Sequence, residues 1–128
     1  MHAADVAGLH HAGLYVASLD RSLNFYADVF GLEVAEQFMF EGERLAFLRV
    51  GDQRLELIES TKKSTVPRAA GVVDHVALEV RDLEGWLARL RQHGVVLLDS
   101  SPVTVAPLGA RIVFYLGPDG ERIELLER

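Results

Sequence analysis

An internal repeat limits this chain to folds built from two copies of one module. The segment that begins at Leu9 (LHHAGLYV) is matched by the segment that begins at Val73 (VDHVALEV). The segment that begins at Arg54 (RLELIE) is matched by the segment that begins at Arg122 (RIELLE). Two matches in the same order indicate tandem copies of one supersecondary unit.

The repeat also predicts the boundaries of the two copies. We expect a first module over residues 1–60, a linker over 61–71 and a second module over 72–128. The linker segment is polar and contains Pro67 and Gly71, as is common between structural units. Because 128 residues are an ordinary length for one domain, we expect the two modules to form a single domain.

Each module is predicted to fold as β-α-β-β-β, which makes the chain an α+β protein. Alternating apolar residues indicate strands, and apolar residues three and four apart indicate helices. Ser18 or Asp20 is expected to cap the first helix, and Gly31 and Gly94 are expected to end the two helices. The predicted elements are, in order, a strand near 9–17, a helix near 20–30, strands near 33–40, 44–50, 54–59 and 73–81, a helix near 82–93, and strands near 95–98, 103–106, 110–116 and 121–127.

The composition excludes several classes of protein. Hydrophobic residues make up 49% of the chain and charged residues 25%, which is typical of a soluble globular domain. The chain has no cysteine, so disulfide frameworks and thiolate metal sites are excluded. A net charge of −6 argues against a nucleic-acid partner. Without an apolar run of membrane-spanning length or a visible signal peptide, we expect no membrane partner and a cytoplasmic protein.

Strand alternation places one histidine and one glutamate of each module on the face of the sheet that the helix does not cover. If Ala12, Leu14 and Val16 face the helix of the first module, His11 points to the opposite face. By the same parity, in the last strand of the module (the closing strand), Glu56 points to the face opposite that of its leucine neighbours. His75 and Glu124 occupy the corresponding places in the second module.

We therefore predict a divalent metal site made by His11, Glu56, His75 and Glu124. If the halves pack symmetrically, two imidazoles and two carboxylates converge on one cavity, a donor set that suits one Zn, Ni, Co, Mn or Fe(II) ion. His10 is not expected to be a ligand, because its parity is that of the helix side and its counterpart in the repeat is Asp74.

With these four residues in this order on a duplicated module, the sequence resembles the vicinal oxygen chelate superfamily. That superfamily includes glyoxalase I, methylmalonyl-CoA epimerase, extradiol dioxygenases, fosfomycin-modifying enzymes and bleomycin-resistance proteins. The resemblance covers nearly the whole chain and implies an open, cup-shaped mixed sheet with helices outside, and a homodimer. The segment that ends GPDGERIEL, at Leu125, is similar to the closing motif of the superfamily.

The resemblance implies a metal-dependent lyase or isomerase, either glyoxalase-like or acyl-CoA-epimerase-like, that acts on a small molecule. Glu124 or Glu56 is then the catalytic base that moves a proton next to a metal-bound carbonyl. Two other readings stay open: a small-molecule or antibiotic-binding protein of the bleomycin-resistance type, and an Fe(II) extradiol-type dioxygenase. The residues expected to bind substrate are Arg49, Glu79, Phe47, Tyr15 and Arg111.

Overall fold

The structure is a computed structural model that describes residues 9–60 and 73–128. The predicted linker, residues 61–71, lies outside the described residues. The chain divides into two compact units, Met1–Ser64 and Thr65–Arg128. Each unit contains one four-stranded sheet.

The first unit follows the predicted order of elements. In its sheet the strand order is β1-β4-β3-β2; β1 runs parallel to β4, and the other neighbours are antiparallel. Its elements are β1 (His11–Val16), helix α1 (Leu19–Leu23), a π-helical segment (Asn24–Val29), β2 (Val34–Phe40), β3 (Glu43–Val50) and β4 (Gln53–Glu59).

The second unit repeats this topology with the strand order β5-β8-β7-β6. Again the first strand is parallel to the last, and the other neighbours are antiparallel. The predicted α+β class and its mixed sheets are confirmed. The elements are β5 (Val76–Glu79), α2 (Leu83–Gln92), β6 (Val103–Val105), a 3₁₀ turn (Ala106–Leu108), β7 (Ala110–Leu116) and β8 (Arg122–Glu127).

The first helix differs from its prediction in its later turns. Ser18 caps it as expected, since its Oγ accepts a hydrogen bond from the Arg21 amide at 3.2 Å. Beyond Leu23 the helix widens, and the Phe30 amide donates to the Phe25 carbonyl five residues back. The wider turns change which residues face the sheet. Phe25 is therefore in the core, whereas Leu23 is only half-buried.

The predicted strand near 95–98 is wrong, because this segment forms only an isolated bridge between Leu97 and Tyr115. The Leu98 amide still donates to the Phe114 carbonyl at 2.8 Å. The Phe114 amide, however, donates to the Asp99 side chain at 2.8 Å. A side chain thus takes the donor that a continued strand would use, and β6 forms the edge of the sheet instead.

In each unit the core lies between the helix and one face of the sheet. Leu57 in β4 and Leu125 in β8 are fully buried on that face, and the helices contact these two strands. Burying one such side chain contributes about 1.5–3 kcal/mol. The neighbours Glu56 and Glu124 point to the opposite face, as the alternation of a strand requires.

A second glutamate in each closing strand caps the helix of its own unit. Glu59 Oε1 accepts the Leu19 amide at 2.8 Å, and Glu127 Oε2 accepts the Leu83 amide at 2.7 Å. These contacts satisfy backbone donors that a helix leaves without an internal partner. A carboxylate there also interacts favourably with the helix dipole. The repeated pattern Glu-Leu-apolar-Glu therefore places one carboxylate on each face of the sheet.

Replacing Glu59 by Ala is expected to lower the free energy of unfolding by about 1–2 kcal/mol, since it removes a helix-capping acceptor. The side chain is 10% exposed and also lies 3.5 Å from the Arg44 guanidinium. Urea unfolding followed by circular dichroism measures the change. Asp20→Asn is the control, because this carboxylate also contacts Arg44 but is 82% exposed. Equal losses in the two variants would contradict a capping role for Glu59.

Candidate metal centre

The first unit brings His11 and Glu56 together on the face away from the helix. In the parallel pairing of β1 and β4, Gly13 lies beside Glu56, and His11 precedes it by two residues on the same face. His11 Nε2 is 3.5 Å from Glu56 Oε1. A Cβ at Gly13 would lie 3.0 Å from that oxygen, so this glycine lets the carboxylate rest against the strand.

The second unit brings His75 and Glu124 together in the same way. Ala77 lies beside Glu124 in the pairing of β5 with β8. His75 Nε2 is 3.3 Å from Glu124 Oε1, and the Glu124 side chain is 9% exposed. Burial of a carboxylate is costly unless a positive charge or hydrogen-bond donors compensate it. This carboxylate faces an imidazole nitrogen, which is also a metal-binding group.

An aromatic ring packs beside each histidine. The Phe47 and His11 rings meet edge to face with centroids 5.1 Å apart, and Phe114 meets His75 at the same distance. Each phenylalanine lies opposite the glutamate of its unit in the antiparallel pairing. The rings restrict the imidazoles and give each His–Glu pair an apolar side.

In each His–Glu pair the nitrogen and the oxygen are spaced as two donor atoms on one cation would be. Donor atoms bound to one zinc ion at about 2.0–2.2 Å lie roughly 3–3.5 Å from each other. The nitrogen–oxygen distances of 3.5 and 3.3 Å match that separation. Within residues 9–60 and 73–128 no group of three or more potential ligands is gathered at one point. Each unit thus offers two donors.

The Nδ1 atoms of the two imidazoles, which are the ring nitrogens away from the glutamates, have different partners. His75 Nδ1 lies 2.8 Å from Asp74 Oδ2, and Asp74 accepts two hydrogen bonds from Arg122 Nη1, at 3.0 and 3.1 Å. The hydrogen bond with His75 and the Arg122 charge lower the pKa of Asp74. In the first unit His11 Nδ1 instead lies 2.8 Å from His10 Nδ1.

Sequence reasoning missed these partners of Nδ1 and the two arginines beside the sites. Arg54 lies on the same face as His11 and contacts Glu36 at 3.2 Å. The Arg122 guanidinium stacks on the Phe114 ring, 4.8 Å from its centroid. Both arginines precede a predicted ligand by two residues in the closing strand, so the same parity argument applied to them would have found them.

Three residues predicted to bind substrate lie on the His11–Glu56 face of the first unit. Phe47 packs on His11 and stacks with Phe38, with centroids 6.1 Å apart. Tyr15 follows His11 on the same face of β1 and is 48% exposed. Arg49 lies beyond Phe47 on β3, half-exposed, with Glu33 at 3.7 Å. The structure therefore places these three side chains on the face of the sheet that carries the His–Glu pair.

Glu79 lies on the His75–Glu124 face of the second unit and forms an ion pair with Arg128 at 2.8 Å. This contact lowers the pKa of Glu79, because the hydrogen bond and the positive charge favour the ionised carboxyl. A shallow pocket here is lined by Ala77, Glu79, Leu108, Leu126 and Arg128.

Arg111 is placed on the other face of the sheet, where it contacts Glu84 of α2 at 3.0 Å and Glu127 at 2.7 Å. It corresponds to Arg44 of the first unit, which contacts Asp20 of α1 and Glu59. The structure does not bring Arg111 to the His75–Glu124 pair. Its role is to hold the carboxylate that caps α2, and these contacts raise the pKa of its guanidinium.

The chain belongs to the Glyoxalase/Bleomycin resistance protein/Dioxygenase superfamily, whose family model matches residues 8–125. The resemblance to vicinal oxygen chelate proteins is thereby confirmed. In the part of the chain that the structure describes, no helix is long and apolar enough to cross a membrane.

Relatives and solved structures agree with this assignment. The lactoylglutathione lyase of Neisseria meningitidis is 32% identical in an alignment of length 129 that covers 94% of this chain and 90% of the lyase. A mitochondrial methylmalonyl-CoA epimerase of Dictyostelium discoideum is 26% identical in an alignment of length 134 that covers 96% of this chain and 80% of the epimerase. The trypanothione-dependent glyoxalase I of Leishmania major has a TM-score of 0.77 at 28% identity, covering 94% of this chain and 86% of that enzyme.

Proposed function

We propose that this chain is a divalent-metal-dependent lyase or isomerase in which His11, Glu56, His75 and Glu124 bind one metal ion. The observation that carries the proposal is the duplicated His–Glu pair, with nitrogen–oxygen distances of 3.5 and 3.3 Å. Both units keep the pair, each with a phenylalanine packed on the imidazole. Relatives that are named as a lyase and an epimerase support the same class of reaction.

Both pairs are needed because catalytic metal sites commonly have three or more protein ligands. Either unit alone offers two. Together they offer two imidazoles and two carboxylates, which suit Zn, Ni, Co, Mn or Fe(II). Geometry and metal availability, rather than raw affinity, select among these ions.

A divalent ion, when bound, acts as a Lewis acid that stabilises negative charge on a substrate oxygen. The protein's own part is proton transfer at the carbon next to the carbonyl group that bears that oxygen. Glu124 and Glu56 are the candidate bases, since each lies at the His–Glu face of its unit with an oxygen pointing at the imidazole. The base takes the proton from one carbon. A proton delivered to the opposite face of that carbon gives epimerisation, whereas a proton delivered to the neighbouring carbon gives a glyoxalase-type rearrangement.

The residues around the first pair indicate a small substrate with an apolar part and an anionic part. Phe47 and Tyr15 offer aromatic surface on this face. Arg49, half-exposed nearby, is suited to a carboxylate or phosphate. Thiohemiacetals of 2-oxoaldehydes and acyl-CoA thioesters combine these features with an acidic carbon–hydrogen bond next to a carbonyl.

Isotope exchange tests the proposal directly. The metal-loaded protein is incubated in D₂O with each class of compound, and deuterium at the carbon next to the carbonyl is followed by NMR. We expect exchange that is lost on chelation and restored by the metal. Glu124→Gln and Glu56→Gln, each studied at a metal concentration high enough to load the weakened site, identify the base as the variant that holds metal and binds the compound but does not exchange.

Other outcomes point to the alternative functions. Tight binding of small molecules by a metal-free protein without exchange would contradict the proposal and favour a binding protein of the bleomycin-resistance type. Ring cleavage of a catechol with consumption of oxygen would favour a dioxygenase.

Arg49→Ala is expected to raise KM for an anionic substrate by about tenfold with little change in kcat, because a charged hydrogen bond contributes about 1.5–3 kcal/mol. Steady-state kinetics with the substrate found by isotope exchange measures this split. Arg91→Ala is the control, since Arg91 is exposed on α2. An unchanged KM would remove Arg49 from the binding site.

The homodimer and the cytoplasmic location predicted above remain expectations of the sequence. Light scattering coupled to gel filtration checks the first of them. We expect the mass of two chains.

A further inference from the structure

The two imidazoles of the proposed metal centre differ in the group that contacts Nδ1, the ring nitrogen away from the glutamate. Nδ1 of His75 lies 2.8 Å from a carboxylate oxygen of Asp74. Nδ1 of His11 lies 2.8 Å from Nδ1 of a second imidazole, His10. Asp74 and His10 occupy the same position in the two copies of the repeat.

An ionised carboxylate can only accept hydrogen bonds. Carboxylates lie at both nitrogens of His75, but Asp74 is at 2.8 Å from Nδ1 and Glu124 is farther, at 3.3 Å from Nε2. The shorter contact favours the proton of a neutral His75 ring on Nδ1. That leaves the lone pair on Nε2, the nitrogen that lies 3.3 Å from Glu124 Oε1. Arg122 keeps the Asp74 carboxylate in place through two hydrogen bonds of its own.

An imidazole partner does not fix the tautomer of its neighbour, because a neutral imidazole can donate or accept a hydrogen bond. Between two neutral rings, either His11 donates to His10 or His10 donates to His11, and both arrangements satisfy the 2.8 Å contact. Only the first leaves the lone pair of His11 on Nε2, the nitrogen facing Glu56. His11 can therefore exchange between a metal-binding and a non-binding tautomer.

We propose that Asp74, held by Arg122, is a positioning residue that fixes His75 in the tautomer that binds metal, whereas His10 does not fix the tautomer of His11. This inference rests on the proposed function, because it assigns His75 and His11 as ligands. It implies that the second unit contributes more to metal affinity than the first. Residues that fix the tautomer of a ligand in this way typically change metal affinity by about 10–100-fold.

The tautomers are measured first, on the metal-free full chain, by long-range ¹H–¹⁵N NMR well above the ordinary imidazole pKa of about 6.5. In the wild type we expect His75 to carry its proton on Nδ1 and His11 to populate both forms. In Asp74→Ala we expect the His75 proton to move largely to Nε2, while Asp74→Asn, which keeps an acceptor oxygen, partly preserves the original form. Asp74 is exposed, so we expect these variants to fold as the wild type does.

Affinity for Co²⁺ alone, followed by its visible absorption, is measured on the same proteins. We expect binding about 10–100-fold weaker in Asp74→Ala. His10→Asp, which copies the arrangement of the second unit into the first, is expected to bind Co²⁺ more tightly than the wild type. Glu84→Gln is the matched control, because Glu84 is paired with an arginine on the opposite face.

A wild-type His75 with its proton on Nε2, or a His75 tautomer that Asp74→Ala leaves unchanged, would overturn the inference. Weaker Co²⁺ binding in Glu84→Gln equal to that in Asp74→Ala would also overturn it, because the effect would then be general. A wild type with the expected tautomers but no Co²⁺ binding would contradict the proposed function and still support the fixed tautomer of His75.

Discussion

His75→Ala is expected to lower the affinity of the protein for a divalent metal by more than about 100-fold, because loss of a ligand exceeds the effect of losing its partner at Nδ1. The fold should persist. The His75 side chain is 35% exposed, just ahead of β5. Its removal loses the ring contact with Phe114 and the polar contacts with Asp74 and Glu124. Because the position is partly exposed, we expect a small loss of stability.

Calorimetric titration with Zn²⁺, together with a thermal melt of each protein, measures both expectations. His93→Ala is the matched control, since His93 lies at the end of α2 and contacts the Arg89 carbonyl there. The control should bind metal as the wild type does. Unchanged Zn²⁺ affinity in His75→Ala would remove this histidine from the site. Unfolding of the variant, together with a wild type that binds no metal, would make it a structural residue.

Leu125→Ala is expected to lower the free energy of unfolding by about 2–5 kcal/mol, because it leaves a cavity in a packed core. Leu125 is fully buried in β8, and its neighbour Glu124 lies on the other face of the same strand. Glu124→Gln keeps nearly the same volume, and we expect it to change stability by less than about 1 kcal/mol. Adjacent residues on one strand thus separate stability from metal binding.

Urea unfolding of the metal-free proteins checks the difference between these two variants. Metal must be absent, because a ligand that binds only the folded state would add its own stabilisation. In a second measurement, at a metal concentration well above the wild-type Kd, Leu125→Ala should remain loaded and Glu124→Gln should not. A Glu124→Gln variant as unstable as Leu125→Ala would place Glu124 in the core rather than at a site.

Much of the fold and of each His–Glu pair could be predicted because they depend on two short-range rules. Side chains of a strand alternate between faces, so once Leu55 and Leu57 are assigned to the core, the face of Glu56 follows. The repeat then carries the same assignment to Glu124. The structure brings His11 to Glu56, and His75 to Glu124, within each unit.

What the sequence did not predict depends on particular contacts. The sequence analysis did not use a buried neighbour to decide which face of the sheet Arg111 takes. Comparison with Arg44 of the first module would have assigned Arg111 to the helix side. The predicted strand near 95–98 is reduced to an isolated bridge because one side-chain acceptor, Asp99, takes the Phe114 amide. The widened first helix depends on backbone hydrogen bonds such as that from Phe30 to Phe25, for which apolar spacing carries no signal.

The role of Asp74 and His10 was also hidden, for a different reason. Strand parity says which face a residue takes, but not which nitrogen of an adjacent imidazole it contacts. The 2.8 Å contacts of both residues lie between chain neighbours. Only atomic positions distinguish a carboxylate behind one imidazole from an imidazole behind the other.

The proposed metal centre is tested most directly by elemental analysis of the wild type, His11→Ala and His75→Ala. Each protein is purified without chelator, supplied with excess divalent metal and desalted. One metal ion per chain in the wild type, lost in both variants, is the expected result, because each unit contributes only two of the four donors. A wild type that retains none of Zn, Ni, Co, Mn or Fe would contradict the site. Two ions per chain, with each variant losing one, would show that the pairs bind metal separately.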